Sequence, residues 1–231
     1  MKTIGLIGGM SWESTQFYYR HINQGVKKRL GGLHSAQLLL YSVDFEPIEA
    51  LQQAGDWDAA AEIISSAARS LEAGGADFFL ICTNTMHRVA EAVAQSVDIP
   101  LLHIADATAE VLKAEKINRI GLLGTAFTME QAFYQDRLTE PYGIEVVVPD
   151  TRDRKIVHDI IYQELCLGVV KPASKGKYLQ IIDKLALQGA EGVILGCTEI
   201  CLLVEQADTP VRLFDTTAIH ANQAVNAAIG D

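Results

Sequence analysis

Two cysteine–threonine pairs follow apolar segments of strand length in the two halves of the 231-residue chain. Cys82 and Thr83 form the first pair, and Cys197 and Thr198 form the second. A cysteine acts as a base when it is a thiolate and as an acid when it is a thiol. Two such residues on opposite sides of one carbon atom could remove a proton from one face and return one to the other. The pattern therefore predicts acid–base chemistry at a stereocentre.

A cysteine at the end of a strand also has a simpler interpretation as a small core residue. Two cysteines at similar positions, each followed by threonine, favour the catalytic interpretation for Cys82 and Cys197. Cys166 and Cys201 have no such counterpart, so we expect them to pack in the interior. The four cysteines include no Cys-x-x-Cys pair of the kind that binds zinc, and we expect reduced thiols and no metal site.

The residues after each cysteine are expected to begin a helix, at Asn84 and Thr85 in the first half and at Glu199 in the second. A helix N-terminus would lower the pKa of a nearby thiol towards neutrality. Its backbone N–H groups could also hold a substrate carboxylate and stabilise the negative charge that develops as the proton leaves. These residues are therefore predicted to bind the substrate.

Apolar runs alternate with longer amphipathic stretches along the whole chain. The predicted strands are Thr3–Ile7, Ala36–Val43, Phe78–Ile81, Leu101–Ile104, Arg119–Leu123, Ile144–Val148, Val193–Leu195 and Val211–Phe214. The clearest predicted helices are Glu13–Leu30, Trp57–Leu71 after the N-cap Asp56, and Thr151–Leu167 after the N-cap Asp150. This alternation predicts an α/β fold with parallel sheets covered on both faces by helices.

The two halves of the chain resemble each other. Residues 3–8 resemble 119–124, residues 79–83 resemble 194–198, and residues 100–106 resemble 210–215. Three matches in the same order predict a duplicated unit of four strands. Ligands of parallel α/β sheets bind beyond the carboxyl ends of the strands, so we expect both cysteine–threonine pairs to face one cleft between two domains.

Five segments along the chain resemble the aspartate/glutamate racemase family. They are Gly8-Gly-Met-Ser-Trp-Glu-Ser-Thr, Ile81-Cys-Thr-Asn-Thr-Met-His, Leu123-Gly-Thr-Ala-Phe-Thr-Met, Glu164-Leu-Cys-Leu-Gly and Ile194-Leu-Gly-Cys-Thr-Glu-Ile. The resemblance implies two pseudo-symmetric domains, each with a four-stranded parallel sheet, formed by residues 1–104 with 216–231 and by residues 105–215. It also implies a homodimeric amino-acid racemase that needs neither pyridoxal phosphate nor a metal.

The first cysteine motif departs from the family pattern by one residue. Many relatives have Cys-Asn-Thr, whereas Thr83 precedes Asn84 here and Cys82 is one position earlier. A shift of one residue turns a strand side chain to the other face of the sheet. Either a bulge keeps Cys82 at the site, or Thr83 faces the substrate, which we favour. Because a hydroxyl is a weaker base than a thiolate, Cys197 is expected to be the stronger base and the two directions to be unequal.

The basic residues that some aspartate racemases use for the substrate side chain are absent. The loop predicted from Asp44 to Trp57 contains no Lys or Arg, and its Gln52 either donates a hydrogen bond to the substrate or is a solvated loop residue. The helix end Glu164–Leu167 has no basic residue either. The sequence thus predicts a racemase of aspartate, glutamate or related polar amino acids. It leaves open a broad-specificity racemase of neutral amino acids such as homoserine, and a single-thiol isomerase or decarboxylase of small dicarboxylic acids.

Further candidates follow the first and fifth strands. Thr125 and Thr128 either bind the substrate carboxylate or cap the helix that follows them. Met10 would contact the ligand through its backbone, and Glu199 could orient the acid–base pair or stabilise a helix N-terminus. The complete predicted set is Cys197, Thr83 and Cys82 as catalytic residues, and Met10, Gln52, Thr83, Asn84, Thr85, Thr125, Thr128, Thr198 and Glu199 as substrate-binding residues.

The overall composition excludes several other classes of function. The formal net charge of −10 disfavours nucleic-acid binding, which requires a basic surface. The basic and then apolar N-terminus is too short for a signal peptide, and no apolar run is long enough to cross a membrane. The spacing Gly5-x-x-Gly8-Gly9 differs from the dinucleotide-binding motif. We therefore expect a cytoplasmic protein with a small-molecule substrate and no membrane or nucleic-acid partner.

Overall fold

The computed structural model describes residues 1–230 and divides the chain into two compact units. The first unit comprises Met1–Ile104 and the segment from His220 onwards, and the second comprises Ala105–Ile219. The second boundary was expected just before residue 216 but lies inside the last helix. The reason is that the first turn of this helix is bonded to the second unit, because the Thr216 hydroxyl donates to the Leu195 carbonyl at 2.9 Å.

The first unit contains a parallel sheet of three strands in the order β2-β1-β3. The strands are β1 (Ile4–Gly8), β2 (Leu38–Ser42) and β3 (Phe78–Ile81). The helices that follow them are α1 (Trp12–Leu30), α2 (Phe45–Ala54), α3 (Trp57–Ala73) and α4 (Ala90–Ala94). The predicted N-cap of α3 is confirmed, since the Asp56 side chain accepts a hydrogen bond from the Ala59 N–H at 3.1 Å.

The second unit contains a parallel sheet of four strands in the order β5-β4-β6-β7. The strands are β4 (Arg119–Gly124), β5 (Glu145–Val147), β6 (Val193–Gly196) and β7 (Leu213–Asp215). The helices are α5 (Ile104–Ala114), α6 (Ala126–Glu130), α7 (Ala132–Thr139), α8 (Thr151–Gln163) and α9 (Pro172–Leu187), and the last helix, α10 (Thr216–Ile229), returns to the first unit. The predicted α/β class with parallel sheets is confirmed.

Several predicted elements are shorter than expected, and two of them differ most in extent or type. The fourth strand of the first unit, predicted at Leu101–Ile104, is a single bridge between Leu101 and Phe79. Pro100 before it has no N–H to extend the ladder, and α5 begins at Ile104, so no room is left for a strand. The helix predicted to reach Leu167 ends at Gln163 and continues only as a 3-10 turn.

The side chains of the first sheet alternate strictly between two cores. On β3, Phe78 and Leu80 pack with residues of α1 and α10, whereas Phe79 and Ile81 pack with residues of α3. Tyr18 of α1 is among the largest fully buried side chains. This alternation of period two decides the direction of every side chain at the carboxyl end of the strand.

A buried histidine connects three segments of the first unit. The His220 ring on α10 is fully buried, with Nδ1 2.9 Å from the Tyr18 hydroxyl and Nε2 2.8 Å from the Leu102 carbonyl oxygen. The carbonyl can only accept, so Nε2 carries the proton and Nδ1 accepts from the tyrosine. Burial, together with the nearby ring of His87, lowers the pKa of His220 to about 3. The ring is therefore neutral in the folded protein.

None of the helices within residues 1–230 has the length and apolar character that are needed to cross a membrane.

The neutral state of His220 predicts a loss of stability in acid. The unfolded chain binds a proton at a pKa near 6.5 and the folded chain only near 3. The stability that this group contributes is therefore present above about pH 6.5 and is lost as the pH falls towards 3. In His220→Gln, an amide that can still donate to Leu102 removes this titration. We expect the difference in Tm between the wild type and the variant to shrink as the pH is lowered from 7 to 4.

The control is His34→Gln, because His34 is exposed. Its Tm should follow that of the wild type at every pH. If His220→Gln and the wild type lost Tm in parallel between pH 7 and pH 4, the neutral buried state of His220 would be ruled out.

Candidate active site

The strand register shows which residues occupy equivalent places in the two units. The glycines of the two matching Ile-Gly-Leu segments lie opposite Phe79 in the first sheet and opposite Val193 in the second. Thr83 stands four residues after Phe79, and Cys197 stands four residues after Val193. Thr83 and Cys197 are therefore structurally equivalent, each just beyond the carboxyl end of the third strand of its unit.

This register corrects the sequence comparison, which matched Cys82 with Cys197. The equivalent of Cys82 is Gly196, where an added Cβ would lie only 2.8 Å from the backbone oxygen of Leu123. The two cysteines lie at a similar distance along the chain from the first strand of their own half. This spacing gives the wrong match, because the helices between the first and third strands differ between the two units. Only the hydrogen-bonded register fixes the equivalence.

Cys82 continues the alternation of β3 and points into the core. Its N–H donates to the Ile7 carbonyl at 2.9 Å, which extends the ladder by one residue without a bulge. The side chain is fully buried among residues of α1 and α10. Burial raises the pKa of the thiol far above its ordinary value. Cys82 is thus a core residue in the structure, and the interpretation with a bulge does not describe this strand end.

Thr83 is partly exposed, whereas the two predicted binding residues after it, Asn84 and Thr85, are buried. The segment that follows is a 3-10 helix, Thr85–Val89, and not the α-helix that was expected. His87 in this turn places its Nδ1 2.8 Å from the Thr83 carbonyl oxygen. The turn therefore fixes the backbone of Thr83, while the residue as a whole is partly exposed.

Cys197 is partly exposed and is hydrogen-bonded to a buried carboxylate. Its Sγ donates to Oε2 of Glu199 at 3.0 Å, and the Thr198 hydroxyl donates to the same oxygen at 2.8 Å. Glu199 is 2 % exposed and Thr198 is 3 % exposed. The structure thus brings together the three predicted residues of the second strand end, and Cys197 is the one of the three that is partly exposed.

The pKa of Cys197 moves in the opposite direction from the one that the sequence led us to expect. Burial raises the pKa of this thiol well above its ordinary value, and the charge of the Glu199 carboxylate raises it further. The element after Cys197 is a 3-10 turn of three residues, Ile200–Leu202, which has too small a dipole to offset these effects. The thiol is therefore protonated at neutral pH, with a proton acceptor in contact with it.

Thr125 and Thr128 have the capping role that was one of their two interpretations. Thr125 is the N-cap of α6, and its hydroxyl accepts from the Thr128 N–H at 3.3 Å. The two hydroxyl oxygens are 3.2 Å apart, and both residues are buried. Binding of a substrate by these residues stays a prediction.

Met10 and Gln52 are both buried in the first unit. The predicted loop around Gln52 is in fact α2, and the Gln52 amide nitrogen donates to Sδ of Met86 at 3.0 Å. The interpretation of Gln52 as a solvated loop residue is therefore wrong. Its neighbour Gln53 is the exposed residue and bonds Glu49 on the same helix.

His158 lies next to one of the candidate residues, although no sequence motif points to it. Its Nδ1 accepts from the Ala126 N–H at 3.1 Å, directly after the N-cap of α6. The two residues are far apart along the chain, and no local motif connects α8 to this position. The contact becomes visible only once the helices of the second unit are packed.

Within residues 1–230, no group of three or more His, Cys, Asp or Glu side chains has the arrangement of a metal site.

Replacing Glu199 should make Cys197 more reactive. Glu199→Gln removes the negative charge that helps to raise the pKa of the thiol, so the thiolate fraction at about pH 8 should increase. A shift of one pKa unit gives about a tenfold faster reaction with iodoacetamide. Peptide mass spectrometry that follows labelling at residue 197 over a series of pH values measures this rate.

The matched control is Glu205→Gln, which removes an exposed carboxylate from the same unit. Its labelling rate at residue 197 should equal that of the wild type. An unchanged or slower rate in Glu199→Gln would show that the carboxylate does not hold the thiol in its protonated form.

Comparison with known proteins matches residues 7–224 to the model of the Asp/Glu/hydantoin racemase family. The chain is 58 % identical to a Yersinia pestis protein of known crystal structure that is proposed to be an Asp/Glu racemase. The match covers 99 % of this chain and 100 % of that chain, and the TM-score is 0.92. It is 35 % identical to an aspartate racemase homologue from Pyrococcus horikoshii, covering 99 % of both chains with a TM-score of 0.85.

A third relative is similar over nearly its whole length. The broad-specificity amino-acid racemase RacX of Bacillus subtilis is 23 % identical over 230 residues, which is 96 % of each chain. The match of the family model spans both units and includes both strand ends that carry Thr83 and Cys197. The chain belongs to the Asp/Glu/hydantoin racemase family.

Proposed function

We propose that the protein is an amino-acid racemase that works without pyridoxal phosphate or metal, with Cys197 and Thr83 as its acid–base residues. The observation that carries the proposal is the strand register, which makes these two residues equivalent in the two units. Both residues are partly exposed, whereas all the other predicted site residues are buried. Family membership supports the same reaction class.

The contacts of Cys197 suggest how a protonated thiol becomes a base. The thiol proton passes to Glu199 along the 3.0 Å contact, and the thiolate then takes the α-proton of the substrate. The Thr83 hydroxyl gives a proton to the other face of the resulting carbanion. Thr83 regains a proton from water and Glu199 releases one to it, so the enzyme returns to its starting state. The backbone N–H groups that follow Thr83 and Cys197 are still predicted to bind the substrate carboxylate.

The substrate range that we propose includes aspartate, glutamate and neutral polar amino acids. The helix end predicted to approach the substrate side chain presents Glu164, which accepts a hydrogen bond from Ser174 at 2.7 Å and pairs with Lys171 at 3.3 Å. Gln52 on α2 is neutral, so neither predicted position offers the arginine fork that favours a second carboxylate. The similarity to a broad-specificity racemase agrees with this breadth.

The test is a chirality scan of L- and D-amino acids in deuterated water. The wild type should invert one or more polar amino acids and place deuterium at the α-carbon. Cys197→Ser should lower kcat by about 10³-fold, within the usual range for an acid–base residue. Thr83→Cys should bring the kcat values of the two directions closer together, because both sides then carry a thiol.

Cys82→Ala is the matched control, since it shortens a core side chain away from the chemistry. It should lower Tm and leave kcat within about threefold of the wild type. Racemase activity retained in Cys197→Ser would contradict the mechanism. Turnover of a small dicarboxylic acid, with no α-deuteration of any amino acid, would favour the alternative of a single-thiol isomerase or decarboxylase, and binding without turnover would favour a binding protein.

We also propose that the protein is a homodimer that buries an apolar face of the first unit. Trp12, Tyr19 and Leu40 are 65 %, 54 % and 45 % exposed, and the three line one cavity of about 260 Å³. Leu40 lies on β2, which is an edge strand of its sheet, and Tyr41 beside it is also exposed. An apolar face on an exposed strand edge is a surface on which a second copy can pack. The cytoplasmic location stays a prediction.

Charge placed on this face should separate the dimer. We expect the double variant Trp12→Glu and Tyr19→Glu to sediment as a monomer, because two buried carboxylates would oppose association. Leu187→Glu, at a leucine that is 88 % exposed on α9, is the control and should sediment like the wild type. A wild type that sediments as a monomer, or a double variant that stays dimeric, would exclude this face.

A further inference from the structure

We propose that His87 is a positioning residue for Thr83, because its neutral imidazole fixes the carbonyl of the acid–base residue to the start of α5. The inference rests on the proposed role of Thr83. His87 lies in the 3-10 turn after β3 and is 3 % exposed. Each of its ring nitrogens is within hydrogen-bond distance of a backbone group, and the two groups belong to different segments.

The geometry assigns the tautomer of this ring. The Ile104 N–H donates to Nε2 at 3.2 Å, so Nε2 must hold a lone pair. Nδ1 therefore carries the proton and donates it to the Thr83 carbonyl oxygen at 2.8 Å. Protonation of the ring or the other tautomer would leave a donor facing the Ile104 N–H, so the neutral Nδ1–H form is the one that satisfies both contacts.

The surroundings hold this imidazole in place from other sides. The ring of His103 lies edge-on to it with a centroid distance of 4.4 Å, and the ring of His220 lies at 6.0 Å. His220 bonds the Leu102 carbonyl, two residues before the Ile104 N–H that His87 accepts from. The segment from Leu102 to Ile104 is thus bonded by two buried histidines, and it provides a fixed support for the turn.

The second unit has a related contact after its strand end. His87 stands four residues after Thr83, and Cys201 stands four residues after Cys197. The Cys201 thiol donates to the carbonyl of Thr198, one residue after Cys197, at 3.1 Å, so in each unit a side chain in the turn bonds back to the backbone at the strand end. A thiol is a weak donor, and the imidazole makes the stronger bond on the side where the acid–base group is a hydroxyl.

The position of Thr83 decides whether its hydroxyl can transfer a proton. The Thr83 proton is transferred only when its oxygen lies within hydrogen-bond reach of the substrate carbon, and a small displacement has a large effect on rate. An experiment can separate the contributions of Cys197 and Thr83, because the two groups are proposed to act on opposite faces of the substrate carbon. Exchange of the α-proton by the Cys197 side does not need Thr83, whereas inversion needs both.

The experiment compares inversion and α-deuterium exchange in deuterated water for His87→Phe, His87→Asn, Thr83→Ala and the wild type. Each enantiomer of an amino acid that the wild type racemises serves as substrate. We expect His87→Phe to lower the rate of inversion about tenfold more than it lowers the rate of α-deuterium exchange from one enantiomer. Thr83→Ala should show the same pattern. The amide of His87→Asn can replace the Nδ1–H donor and should recover part of the inversion.

The outcomes separate this inference from the proposed function. A wild type that inverts no amino acid overturns both. An active wild type with parallel losses of inversion and exchange in His87→Phe overturns only the role of His87, because a general loss of folded enzyme would produce that result. If His87→Phe does not fold, His87→Gln replaces it, since its amide oxygen can still accept from Ile104. Equal inversion in His87→Asn and His87→Gln would then overturn the role of the Nδ1–H donor.

Discussion

The hydrogen-bond register between the first and third strands of each sheet is the constraint on which the candidate site depends. It determines which residue emerges at the carboxyl end of β3 and of β6, and a slip of one residue would exchange the core face for the opposite face. In the first unit the register buries Cys82 and presents Thr83. In the second it leaves no space for a side chain at Gly196 and presents Cys197.

The electrostatics of Cys197 follow from its position at that strand end. The backbone and core that hold the residue also desolvate it, and the buried Glu199 carboxylate adds a like charge to the thiolate form. The proton therefore stays on the Cys197 sulfur, and the Glu199 carboxylate, which can accept it, is in contact with the thiol. The protonation state of Cys197 thus depends on a pair of groups, because the Glu199 carboxylate is in direct contact with the thiol and raises its pKa.

Local sequence signals predicted most of the fold because they act over a few residues. The strand Phe78–Ile81 and the N-caps Asp56 and Asp150 are examples. The helix α2 was missed although Asp44 before it and Gly55 after it are ordinary capping residues, and it could have been found from them. The contact of His220 with Tyr18, by contrast, joins residues from opposite ends of the chain, and no local pattern encodes it.

A racemase that uses a thiol and a hydroxyl as its two acid–base groups, as we propose, must still obey the thermodynamics of its reaction. Free L- and D-amino acids have equal energies in water, so kcat/KM must be the same in both directions. Unequal strengths of Cys197 and Thr83 can therefore change kcat only together with KM, because one enantiomer is then held more tightly in its ground state. The chemical asymmetry of the duplicated strand ends would thus appear as a preference in binding, and the equilibrium between the enantiomers would be unchanged.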